Sequence, residues 1–128
     1  MDIKSWLRPP LSAGLAANAG LMLFWPEGWY RLMPGIGYTG PLNTHFVRDI
    51  GCAYLMAAGG LWWRQRHSRS ALALPGAGFL LLHAGIHVWE LVSTRCGVGQ
   101  FLRDLPGVQM AALAALWLGW PEREARHA

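Results

Sequence analysis

His83, His87 and Glu90 stand at i, i+4 and i+7 within HAGIHVWE, the spacing that stacks side chains along one face of a helix. The run around them is apolar, and ionisable groups in such surroundings are costly and rarely idle. Two imidazoles one turn apart beside a carboxylate form either a ligand set for a borderline metal ion or a row of proton acceptors. A second stripe, His45, Asp49 and Cys52, repeats the spacing in the preceding apolar stretch, and Met56 extends it by one turn.

The elements that must position these stripes are four apolar stretches: Leu11–Trp25, Phe46–Trp63, Ala71–Val92 and Val108–Trp120. A membrane-spanning helix needs roughly 20 apolar residues, so the first and last are short and need their flanks. The expected fold is all-α, a four-helix transmembrane bundle running up-down-up-down as one domain over residues 1–128. The basic loop Arg64–Ser70 places the cytoplasm between the second and third spans by the positive-inside rule. Both termini then lie on the same side. That side collects Lys4, Arg8, Arg64, Arg66, Arg69, Arg123 and Arg126, against Arg31, Arg95 and Arg103 on the other. Trp6, Trp62, Trp63, Trp117 and Trp120 mark one interface, and Trp25, Trp29 and Trp89 the other, as an aromatic belt. The expected location is a bacterial inner membrane, crossed several times, with the bilayer as first partner.

Composition agrees with this reading. The 128 residues are 53% apolar, with eight tryptophans and 14% charged residues, unusual for a soluble domain of that length. Mean hydropathy is only +0.22, because that scale penalises Trp, Gly and His. A soluble bundle would keep a continuous polar face on each helix, which these stretches lack. The net charge of +4 is dispersed over loop ends rather than gathered in a stripe, so no nucleic-acid partner is expected. The N-terminal apolar run continues past Ala17-Asn18-Ala19 through Phe24, which reads as an uncleaved first span and not a signal peptide. A short interfacial segment at Ile3–Leu7 precedes it, with Pro9 and Pro10 at the turn. Cys52 and Cys96 read as free thiols, about 20 Å apart in depth. His67 and His127 read as solvated. The glycine- and proline-rich connector Pro26–Thr44 is long enough to fold over the outer mouth of the bundle.

Whether the two stripes meet depends on the hairpin formed by the second and third helices. A tight loop makes them antiparallel neighbours, and residues at one level then have numbers that total about 134 at equal helical rise. His45 falls level with Glu90, Asp49 with His87, and Cys52 with His83. The expected site is therefore a buried cluster of His83, His87, Glu90, Asp49 and His45. Around it stand Arg48, which pairs with Glu90 or snorkels, Asn18 from the first span, and Cys52 with Met56. The cluster suits zinc, iron or manganese, and the thiol and thioether would add copper, although core packing is their plainer role. A b-type haem needs imidazoles on both faces of the iron, for which His87 with His45 is the better pair. A proton relay needs no cofactor. A neutralised polar network that sets helix register needs no chemistry at all.

No nucleophile motif, phosphate loop or dinucleotide fingerprint is present, so an accessory role is expected over catalysis. The segment Asn43–Trp63, NTHFVRDIGCAYLMAAGGLWW, resembles the second helix of small four-helix membrane proteins of the DoxX-like group, through Asn43, Arg48 and Gly51. The resemblance implies a four-helix bundle and an accessory partner of redox enzymes; His83 and His87 lie outside it. The function expected is metal or proton binding in support of a redox or transport complex, with a purely structural subunit as the alternative.

Overall fold

The computed structural model describes residues 2–67 and 70–121; Arg69, Arg123, Arg126 and His127 lie outside the described residues. Those residues are all-α, with no strand. Helix α1 spans Ile3–Phe24, α2 Pro26–Leu32, α3 Thr44–Arg66, α4 Ala73–Val92, α5 Val98–Asp104 and α6 Ala111–Gly119. A 3-10 turn, Ile36–Thr39, lies between α2 and α3.

Pro9 and Pro10 do not mark a turn, because α1 runs through both. A proline leaves the carbonyl four residues back without its helical donor. For Pro9 that carbonyl belongs to Ser5, and the Gln65 side-chain amide of α3 donates to it at 3.0 Å. The last helical run is interrupted in the same way. Pro106 cannot donate an N–H, and the helix widens into a π turn over Pro106–Met110, where the Met110 N–H reaches the Leu105 carbonyl five residues back at 2.9 Å. Helical structure thus begins ten residues before the expected fourth segment, and residues 98–104 join it.

Long helices pack as antiparallel neighbours in the order α1, α3, α4, α6. The Ser12 hydroxyl of α1 donates to the Ala58 carbonyl of α3 at 2.8 Å. Between α3 and α4 the helices touch through glycine: a Cβ built on Gly76 would lie 2.5 Å from the Ala57 Cα. Between α4 and α6, a Cβ on Gly119 would meet the Ala73 side chain at 3.0 Å. Ala19, Ala57, Ala58, Ala77, Ala112 and Ala115 fill the core with Leu61, Leu80 and Leu118, small residues that allow the backbones to approach closely.

The four membrane spans and the inner-membrane location expected from the sequence are corrected here. Among the described residues, no helix is long and apolar enough to cross a membrane. The reason lies in where polar residues fall: α3 contains His45, Arg48, Asp49, Arg64 and Arg66, α4 contains His83, His87 and Glu90, and α6 has nine residues. Two arginines used to orient the chain are not loop flanks either. Arg8 and Arg64 are buried, Arg64 completely, and donate at 3.0 Å to the carbonyls of Leu118 and Trp120 at the end of α6. Guanidinium groups there satisfy carbonyls that have no donor within the helix and complement its negative end. Trp6, Trp25, Trp62, Trp63, Trp89, Trp117 and Trp120 are exposed.

Candidate functional site

At the end of the molecule away from Arg8 and Arg64, the helices and the connector line a partly open cavity of about 960 Å³. Toward the opposite end, alanine and glycine contacts bring α3, α4 and α6 close together. Leu15, Asn18 and Met22 of α1, Val47, Ile50 and Tyr54 of α3, and Phe79 and Ile86 of α4 form its walls. The connector lies across it through Met33, Pro34, Ile36, Tyr38 and Thr39. Gly35, at φ 75°, and Gly40, at φ 114°, take left-handed backbone that favours glycine, and so turn the chain back over the opening.

Polar groups collect at one end of this apolar space. His87 Nδ1–H donates to Asp104 Oδ2 at 3.1 Å, with both side chains under a fifth exposed. The Gln100 amide donates to Asp104 Oδ1 at 2.9 Å and to the Pro34 carbonyl at 3.0 Å. The Tyr38 hydroxyl donates to Glu90 Oε2 at 2.9 Å, so both bonds tie the connector to helices beneath it. The carboxylate of Asp104 fixes the ring orientation of His87 and leaves Nε2 turned from it. His83 lies next, its ring centroid 4.9 Å from that of His87. Burial, and then the neighbouring His87 ring, lower the pKa of His83, while Glu90 and Asp104 oppose the shift. His83 is therefore neutral at pH 7.

The α4 stripe expected from the sequence lines the cavity: His83, His87 and Glu90 all face it. The α3 stripe does not join it. His45 and Asp49 form an i, i+4 pair at 3.5 Å with side chains 89% and 61% exposed, and Cys52 and Met56 are exposed as well. Equal depth between α3 and α4 holds, since Ala57 meets Gly76 and Tyr54 meets Phe79, in the expected register. Rotation differs. At about 100° per residue, the α3 face formed by Val47, Ile50 and Tyr54 turns inward and carries the polar stripe away. The five-residue cluster is thus divided between two surfaces, and the His87–His45 haem pairing falls with it. Packing of Cys52 and Met56 in a core is corrected in the same way. Among the described residues, no three His, Cys, Asp or Glu side chains gather closely enough to hold a metal ion.

Arg48 forms no ion pair with Glu90 among the described residues: its Nε donates to the Leu23 carbonyl at 3.1 Å, at the end of α1. Asn18 does line the cavity, and its Oδ1 accepts from Trp29 Nε1 at 2.9 Å, fastening α2 to α1. Asp104, Gln100, Tyr38 and Tyr54 are site residues that the sequence reading missed. The level rule applied to the second hairpin, centred near residue 95, sets Asp104 opposite His87 at equal rise. Gln100 and Asp104 also share a helical face. Placing the start of the last helix at Val108 hid both.

No protein-family model, curated protein or solved structure matches the chain.

Proposed function

We propose that this protein binds an apolar small molecule in the cavity and exchanges a proton with it, or beside it, through the His87–Asp104 pair. One observation carries the reading: a large apolar space ends on a largely buried imidazole held by a carboxylate. Ligand sites are commonly apolar clefts with a few convergent polar groups, and 960 Å³ is ample for a small organic molecule. A carboxylate beside an imidazole favours the protonated ring, since the cation forms next to an opposite charge. Such a pair serves a ligand that gains or loses a proton, as in a redox or transport step, with the chain as the binding component. Asn43, Arg48 and Gly51, the residues of the DoxX-like resemblance, support architecture within this proposal. Asn43 Oδ1 accepts from the Phe46 N–H at 3.1 Å and caps α3, Arg48 closes the end of α1, and Gly51 lets α1 approach.

The test is titration with the neutral fluorescent probe N-phenyl-1-naphthylamine between pH 5 and 8, on the native protein and on Asp104→Asn. Saturable uptake of one probe per chain is expected, with an affinity that changes across this range and a flatter profile in the variant. Absence of saturable uptake overturns the binding reading and leaves the polar groups as a fastening for the connector. Uptake with identical pH profiles overturns the proton pair alone.

A further inference from the structure

The shape and polarity of the cavity wall go further than an apolar ligand in general. Phe79 and His83, one turn apart on α4, hold their ring planes within 13° of each other, with centroids 6.0 Å apart. Their faces therefore share one direction. Tyr54 stands at 80° to both, 5.7 Å from Phe79 and 6.1 Å from His83. His87 meets His83 edge-on at 74°, 4.9 Å away. The cavity wall thus carries two near-parallel rings with near-perpendicular rings beside them, and aromatic quadrupoles reward a flat partner that can stack or meet an edge. A flexible chain draws no such directional gain from them.

At this wall the Tyr54 hydroxyl is a donor without a partner among the described residues. Tyr54 is 7% exposed, lines the cavity, and its hydroxyl makes no hydrogen bond among the described residues, yet it is not sealed away from the cavity space. Burial raises the Tyr54 pKa, which keeps the hydroxyl protonated. A ligand oxygen in the cavity offers this hydroxyl an acceptor. Charge completes the specification. The described residues that line the cavity include two carboxylates, Glu90 and Asp104, against one guanidinium, the exposed Arg103. An anionic head is disfavoured by that balance.

We propose that the ligand is a neutral, planar ring compound bearing a carbonyl-type acceptor, stacked along Phe79 and His83 and bonded by the Tyr54 hydroxyl. This rests on the cavity being a ligand site. The test compares four probes on the full chain by calorimetry: 2-acetylnaphthalene, naphthalene, 2-undecanone and decanoate. The ketone on the flat ring is expected to bind at least about fivefold more tightly than each of the others, in keeping with one added hydrogen bond or the ring contacts. Tyr54→Phe is expected to weaken 2-acetylnaphthalene by about fivefold while naphthalene binds as before. If 2-undecanone or decanoate binds as well as the flat ketone, or the variant leaves 2-acetylnaphthalene unchanged, the ligand class is wrong while the cavity reading stands. If none of the four binds, both fail. The comparison among probes on the native protein decides the matter even if the variant does not fold.

Discussion

At the scale of single residues, His83 shows how surroundings set chemistry. It has no hydrogen-bond partner among the described residues, and stacks against Phe79 while meeting His87 edge-on. Its pKa in the fold lies below the ordinary 6.5, through burial first and the His87 ring second. Between the two values the unfolded chain holds more protons than the folded one, so stability rises with pH there. The contribution of a neutral His83 is whole above about pH 6.5 and is lost as the pH falls from there through the folded value. Urea midpoints measured from pH 7 to pH 5 are expected to fall less steeply in His83→Phe, which keeps a ring in place without titrating. Parallel declines in the two proteins would remove His83 as the source. His87 differs because Asp104 orients it; spacing on α4 identified both imidazoles, but nothing on α4 announced the partner that separates their roles.

At the scale of elements, the contact between α3 and α4 is decided by Gly76. A Cβ there would lie 2.5 Å from the Ala57 Cα, a backbone atom that moves only if the helices separate, whereas a Cβ on Gly78 meets nothing within 4 Å. Helix propensity favours alanine over glycine by about 1 kcal/mol at both positions, so the pair distinguishes packing from propensity. Gly76→Ala is expected to lower stability by about 1–3 kcal/mol and Gly78→Ala to raise it by about 0.5–1 kcal/mol, measured as chemical unfolding midpoints. The level of each helix against its neighbour was legible because a short hairpin and a constant rise fix it. The inward face was not. The polar stripe and the Val47, Ile50 and Tyr54 face of α3 are both regular at helical spacing, and the partner helices select between them.

At the scale of the whole molecule, the bundle has a closed end and a hollow end. Arg8 and Arg64 bond the terminal carbonyls of α6 at the first, while the connector, tied down by Tyr38–Glu90 and Gln100–Pro34, covers the second. Arg64→Ala removes a completely buried side chain and a charge-assisted hydrogen bond, so a loss of about 2 kcal/mol or more is expected. The cavity lies at the other end, and the affinity of the folded variant for 2-acetylnaphthalene is expected to stay within about twofold, as for distant independent sites. A large loss of affinity without a loss of stability would mean that the two ends are coupled.

The sequence by itself determined the all-α class, the antiparallel order of the main helices, the level at which residues of α3 and α4 meet, and the stripe His83, His87 and Glu90. These follow from periodicity, loop length and rise along a helix, all local quantities. Tertiary structure alone decided which way each helix turns about its axis, and hence that His45, Asp49, Cys52 and Met56 face outward. It also brought Asp104 and Tyr38 to the cavity from the last helical run and the connector. Rotation is set by the summed packing of several helices at once, and no short stretch of one helix contains that sum.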